Sequence, residues 1–254
     1  DLVQAPPALP LSRYLVDARL PASARAANGW WRVPDDLRLL HDHIVGNGDR
    51  EDVLVPLPAL LKPLRPYQER GVRFVLSRGR AMLADSMRLG KTLEGLAVAY
   101  SSGVGPWVGV VPATKLWDWR DEALVSIPSP KGESVRILRG RKATDLDRDT
   151  WLYLINYEVL PAWVEALTTL RPGGVLLDES VYVKGRKSAR FRAARALCDR
   201  AEYVVGLSGA PLENRPMDLW GQWRCVRGAG ESGEFWEFHE RYGGGAFVEL
   251  GDER

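Results

Sequence analysis

The chain has 254 residues, 45% hydrophobic and 27% charged, with a formal net charge of +2. That is the composition of a soluble, well-packed chain, long enough for one large domain or a main domain with an appendage. No apolar run approaches the roughly 20 residues of a membrane span. No secretory signal opens the chain, and Cys198 and Cys225 stand alone without metal-ligand spacing, which points to a reducing compartment. The chain starts at Asp1 rather than Met and ends in a Gly-rich region, so it reads as a piece of something longer.

Residues 1–60 form an accessory region. Pro6, Pro7 and Pro10 suggest an extended arm, and the stretches Leu15-Val16-Asp17-Ala18-Arg19-Leu20 and Trp30-Trp31-Arg32-Val33 suggest short strands. Leu37, Leu39, Leu40 and Ile44 have helical spacing after Asp35, and Gly46-Asn47-Gly48-Asp49 breaks the pattern. His41 and His43, two apart, do not have the spacing of a zinc pair.

A helix begins near Leu64-Arg65-Pro66-Tyr67-Gln68, with Val72, Val75 and Leu76 on one face. The Gln68 amide carries a donor and an acceptor together and so suits an adenine edge. From residue 81 the pattern alternates. Apolar strands are expected at 81–84, 108–112, 135–138, 151–155, 174–177 and 203–207. Helices are expected at 91–101, 115–126, 157–169 and 188–200. Short continuous apolar strands between helices predict an α/β fold, a parallel sheet covered on both faces. In such a fold ligands gather at the carboxyl ends of the strands.

One of those ends reads Asp85-Ser86-Met87-Arg88-Leu89-Gly90-Lys91-Thr92, directly before a helix. A loop running into a helix start presents backbone N–H groups and the positive end of the helix dipole to a phosphate. Gly90 permits close approach, Lys91 reaches the β- and γ-phosphates, and the Thr92 hydroxyl suits Mg²⁺. The strict pattern G-x-x-x-x-G-K-[ST] fails at its first position, where Asp85 stands. Val175-Leu176-Leu177-Asp178-Glu179 is an apolar strand ending in two acids. Asp178 is assigned to Mg²⁺ and Glu179 to the attacking water. Tyr203-Val204-Val205-Gly206-Leu207-Ser208-Gly209-Ala210-Pro211 is a further strand that runs into a turn of small residues, able to respond to phosphate.

These segments, in this order, resemble helicase superfamily two and, within it, the Swi/Snf-type double-stranded DNA translocases. Leu64-Arg65-Pro66-Tyr67-Gln68 is similar to their adenine-reading segment. The 85–92 loop resembles D-E-M-G-L-G-K-T, whose first position is an acid. Val111-Pro112-Ala113 through Leu116 and Trp119 resembles the motif that meets the DNA backbone. Asn156-Tyr157-Glu158 resembles N-Y-E, and Asp178-Glu179-Ser180-Val181-Tyr182-Val183-Lys184 resembles D-E-A-H-x-I-K. Leu207-Ser208-Gly209-Ala210-Pro211 with Asn214, Leu219 and Trp220 resembles L-T-G-T-P…N…L-W. Phe235 through Tyr242 resembles the aromatic segment closing that lobe, and Phe238-His239-Glu240-Arg241-Tyr242-Gly243 looks most like the branch that anneals or remodels DNA forks.

The resemblance implies a RecA-like lobe at about 61–245, with ATP and Mg²⁺ as cofactors, and 246–254 as the start of a linker to a second RecA-like lobe, in cis or on another chain. Three departures stand out. Arg88 replaces a glycine, which puts either a negative φ or strain in the loop. Ser180-Val181 replaces Ala-His, so coupling between hydrolysis and the next motif is expected to differ. Nothing resembles the second lobe, whose arginines are worth about 10³–10⁵-fold in related phosphoryl transfers.

Double-stranded DNA is the expected partner, held through its phosphates. Thr114, Lys115 and Trp119 form one candidate contact. Lys184, Arg186, Lys187, Arg190, Arg192 and Arg195 form another. Arg136, Arg139, Arg141 and Lys142 read as a solvated face. The expected activity is that of the first motor lobe of a DNA-dependent ATPase, cytoplasmic or nucleoid-associated. Two alternatives stay open: the motor lobe of a restriction or anti-phage nuclease complex, and a degenerate ATP-dependent scaffold that binds DNA or protein.

Overall fold

The computed structural model describes residues 2–3, 31–32, 56–128, 135–211, 217–228 and 235–242. The elements expected at 15–20 and 35–44 lie outside them. Near the N-terminus, β1 (Leu2–Val3) pairs antiparallel with β2 (Trp31–Arg32).

The first helix among the described residues, α1 (Pro66–Arg78), starts with proline at its first turn. There the missing N–H is no loss. Gln68 Oε1 accepts from the Arg65 N–H at 2.9 Å, which closes the helix start. Gly79 ends it at φ 72, a left-handed position, with its N–H on Val75 O. The chain turns at once into β3 (Arg80–Leu83), then passes through the loop to α2 (Lys91–Ser101). β4 (Trp107–Val111) follows, and a single 3₁₀ turn at Ala113–Lys115 leads into α3 (Leu116–Ser126). Then come β5 (Val135–Ile137), β6 (Leu152–Asn156), α4 (Leu160–Leu170) and β7 (Gly174–Asp178). A second 3₁₀ turn, Ser180–Val183, separates β7 from α5 (Ala189–Cys198). β8 (Tyr203–Leu207), α6 (Met217–Arg227) and α7 (Phe235–Tyr242) complete the order.

The sheet runs β3-β8-β7-β4-β6-β5, and every pairing is parallel. Its inner strands β4, β6, β7 and β8 are almost wholly buried because both faces are covered, whereas the edge strand β5 is only part-covered and exposes Arg136. Val108, Val110, Val175 and Leu177 face α4, α5 and α6, packing with Trp163, Phe191 and Trp223. Their neighbours Trp107, Val111 and Leu176 face α1, α2 and α3, packing with Val72, Leu96 and Trp119. The two-residue period of a strand thus sorts one hydrophobic run into two cores. Gly95 lets α2 lie close to the sheet, since a Cβ there would sit 3.1 Å from Leu207 Cδ1 and 3.2 Å from Trp119.

The expected α/β fold, with helices on both faces of a parallel sheet, is therefore observed. Boundaries differ by a residue or two in most elements. The largest shift is in α4, expected from 157 and found from Leu160. Tyr157 is held elsewhere: its hydroxyl donates to Asp178 O at 2.7 Å, while Asn156 Oδ1 accepts from the Val159 N–H. A tertiary contact thus takes the first residues from the helix. Among the described residues, no helix is long and apolar enough to cross a membrane.

Candidate nucleotide and nucleic-acid site

The loop after β3, the acids after β7 and the turn after β8 meet at the carboxyl edge of the sheet, because β8 lies between β3 and β7. Gly90 caps α2 at φ 84. The backbone conformation calls for glycine, and a Cβ there, 2.6 Å from Gln68 Nε2, would also displace the Gln68 amide. Lys91 Nζ donates to the carbonyls of Asp85 at 2.7 Å and Ser86 at 3.0 Å. The ammonium is thereby folded back over the loop that the helix dipole faces. Thr92 is half-buried beside it, and Met87 and Arg88 are exposed. Arg88 adopts φ 67, so of the two outcomes expected for this departure the strained one is realised.

Two residues of α1 hold the far end of the loop. The Tyr67 hydroxyl donates to Leu89 O at 2.8 Å, and Gln68 Nε2 donates to the same oxygen at 3.1 Å. Gln68 is buried, and its amide bridges the helix start and the loop.

Asp178 is gripped from two sides. Trp119 Nε1 donates to its carboxylate at 2.8 Å, and Tyr157 donates to its carbonyl. Burial raises the Asp178 pKa, opposed by the Trp119 hydrogen bond, the Glu179 N–H and the positive charges of Lys91 and Lys115. Glu179 stands in the left-handed region at φ 49. Of the three non-glycine residues with positive φ among those described, Arg88 and Glu179 both border this site, and Arg171 caps α4. Such conformations persist where the surroundings enforce them. The turn after β8 closes the arrangement: a Cβ on Gly209 would lie 2.8 Å from Met87 Cγ and 3.7 Å from Lys91 Nζ.

Glu94 escaped the sequence reading. It is fully buried in α2, and its carboxyl faces that of Asp85. Burial first, and the Asp85 charge second, push its pKa up to about 9. Burial likewise raises Asp85, against the pull of the Lys91 charge. One acid in the otherwise apolar run Leu93 to Ala99 was the available signal.

Among the described residues no group of three or more His, Cys, Asp or Glu gathers as a metal cage. The oxygens on offer are the Thr92 hydroxyl and the Asp178 carboxylate. Few hard oxygen donors, completed by phosphate and water, suit Mg²⁺. The residues present therefore fit that ion.

The candidate nucleic-acid residues fall into two groups. Thr114 and Lys115 are exposed on the 3₁₀ turn after β4, with Lys115 Nζ 3.1 Å from Asp118. Trp119 does not join them. It is 1% exposed, so its indole is not at the surface but serves Asp178, and the expectation of a DNA contact there is corrected. Lys184, half-buried, lies 3.9 Å from Asp218. Arg186 and Lys187 are exposed just beyond it, and the Arg186 guanidinium lies 4.2 Å from the Phe235 ring centre. Of the basic face at 136–142, Arg136 pairs with Asp147 and Arg139 stacks over Trp117.

Residues 67–227, well over half of the chain, match the SNF2-related domain. A SWI/SNF-related matrix-associated actin-dependent regulator of chromatin subfamily A-like protein 1 from Xenopus tropicalis is 33% identical over 167 residues, covering 65% of this chain and 17% of that protein. The DNA annealing helicase and endonuclease ZRANB3 of Homo sapiens is 31% identical over 201 residues, covering 75% of this chain and 18% of that protein. This chain therefore spans under a fifth of either relative. Among solved structures, the Sulfolobus solfataricus SWI2/SNF2 ATPase core in complex with dsDNA superposes with a TM-score of 0.63 at 24% identity, over 71% of this chain and 39% of that one. The parallel sheet and the order of its loops are thus those of a RecA-like ATPase core, and the chain belongs to the SNF2-related domain family of helicase-like ATPases.

Proposed function

We propose that residues 61–245 are the nucleotide-binding first motor lobe of an ATP-dependent translocase or remodeller of double-stranded DNA, preceded by an accessory region at 1–60. The observation that carries the reading is the convergence of Lys91 and Asp178 at one edge of the sheet, close enough for the Lys91 charge to act on the acid.

In this reading the 85–92 loop cradles the phosphates, and Lys91 exchanges its two loop carbonyls for phosphate oxygens. Thr92 and Asp178 hold Mg²⁺, which when bound neutralises charge on the transferring phosphoryl group. Trp119 fixes one oxygen of Asp178 and leaves the other for the ion. Glu179 orients the attacking water. Gln68 reads adenine with the lone pair that Oε1 keeps after accepting from Arg65. Thr114, Lys115, Lys184, Arg186 and Lys187 meet DNA phosphates. A second RecA-like lobe, in cis or on another chain, supplies the arginines that complete the site. The names of the relatives favour work on chromatin or on DNA undergoing annealing. The endonuclease in one of those names keeps a second reading in view, a motor acting beside a nuclease.

The test is steady-state ATP turnover with and without duplex DNA, alongside nucleotide binding, with Lys91→Ala as control. Binding that needs Lys91 is expected, with DNA-stimulated turnover once both lobes are present. Absence of nucleotide binding, with DNA or protein binding kept, would replace the motor with a scaffold.

A further inference from the structure

A second polar connection crosses the core at the same edge. Ser180 and Gln222 are both completely buried. Ser180 Oγ donates to Gln222 Oε1 at 2.7 Å, and Gln222 Nε2 donates to Pro211 O at 2.7 Å and Asp218 O at 3.1 Å. An amide with no solvent contact loses its hydration, and it persists only with its donors and acceptor engaged, as here. An aliphatic side chain would fill the same space without that demand. What the pair adds is a fixed distance between the elements that carry it.

Those elements matter. Ser180 directly follows Asp178 and Glu179. Pro211 ends the turn whose Gly209 lies against Met87 and Lys91. Gln222 sits on α6 beside Gly221, where a Cβ would be 2.5 Å from Val183 O and 2.8 Å from Lys184 O. Gly221 thus lets α6 press on the acid turn, and Gln222 ties that turn to the 208–211 segment.

We propose that Ser180 and Gln222 form a relay that makes the acid turn and the Ser208–Pro211 loop move as one unit when the terminal phosphate binds or leaves. Both are positioning residues for hydrolysis, and the proposal rests on the ATPase reading above. Through the continuation of the acid turn into Lys184, the relay also links phosphate state to the basic stretch at 184–187.

The test compares Gln222→Met, Ser180→Ala and the double variant in the full chain together with its second lobe. Nucleotide affinity and DNA-stimulated turnover are measured on each, with thermal stability as a control. Each single variant is expected to keep nucleotide affinity and to lower the DNA-stimulated rate by roughly tenfold, the scale of coupling between sites. The double variant should lose no more than the worse single, because one connection is cut either way. Ser180→Ala, the smaller change, carries the comparison if Gln222→Met does not fold. Unchanged stimulation overturns the relay alone, as does a rate that simply follows stability across the three variants. A wild-type protein with no DNA-stimulated turnover overturns the ATPase reading and takes the relay with it.

Discussion

The indole Nε1 of Trp119 donates to Asp178 Oδ2 at 2.8 Å, across the space between α3 and the end of β7. The hydrogen bond favours the charged carboxylate against the burial that raises its pKa. Trp119→Phe keeps most of the ring and removes the donor. A lost hydrogen bond to a charged group is worth about 1.5–3 kcal/mol, and the space left by the smaller ring in the core adds to it, so a stability loss of at least that size is expected here. The Asp178 pKa should rise further. Mg²⁺-dependent nucleotide binding should then weaken more on the acid side of neutrality than on the alkaline side. A Mg²⁺ titration of a fluorescent nucleotide at two pH values reads this, and an equal loss at both would place the effect outside Asp178.

Glu94 gives the fold a pH dependence of known sign. Folded Glu94 holds its proton up to about 9, against an ordinary value of 4.5 when unfolded. Between those values the folded state binds more protons than the unfolded state, so stability falls as pH rises. The advantage is complete below the unfolded value and is gone above the folded one. Glu94→Gln removes this titration while keeping the shape. Its denaturation midpoints should be flatter with pH, and higher than wild type on the alkaline side. Parallel profiles would show that Glu94 is not the group responsible.

Most of the fold was legible because burial on both faces leaves a plain mark. The apolar runs expected at 108–112 and 174–177 lie between helical patterns, and they became the central strands Trp107–Val111 and Gly174–Asp178. The site was legible where chemistry restricts residue type: Gly90 before Lys91, and acids at a strand end. What escaped depended on tertiary neighbours. Nothing local tells whether Trp119 faces DNA or an acid, because the indole suits both, and only the packing of α3 on the sheet decides. The Ser180–Gln222 contact joins residues far apart in sequence, each ordinary in its own segment. Glu94 escaped because its burial comes from α1, where a Cβ on Gly71 would lie 3.0 Å from Glu94 Oε1.

Arg88 stands exposed at φ 67, in a conformation that is unfavourable for a side chain with a Cβ. Left-handed backbone costs a non-glycine residue roughly 1–2 kcal/mol, partly offset by the greater unfolded-state entropy of glycine. Arg88→Gly should therefore stabilise the protein slightly, by about 0.5–1 kcal/mol. Nucleotide affinity should change little, since Arg88 is exposed on the loop and the backbone N–H groups, Lys91 and Thr92 are kept. Denaturant unfolding and nucleotide titration check the two halves separately. A marked loss of affinity would mean that Arg88 turns inward onto phosphate.

Gly221 sets helix propensity against packing. In an ordinary helix interior, Ala in place of Gly stabilises by roughly 0.5–1 kcal/mol. Here the new Cβ would meet Val183 O at 2.5 Å and Lys184 O at 2.8 Å, both main-chain atoms of the acid turn. Neither can rotate away, so α6 must lift from the turn. Overpacking of this kind costs about 1–3 kcal/mol, which outweighs the propensity gain. Gly221→Ala is therefore expected to lower the melting temperature. Gly185→Ala, whose nearest contact would be Ser188 Cβ at 3.8 Å, is expected to leave it nearly unchanged. If Gly221→Ala were neutral or stabilising, α6 would not be pressed on the acid turn, and the short path from Gln222 to Ser180 would not be enforced by the fold.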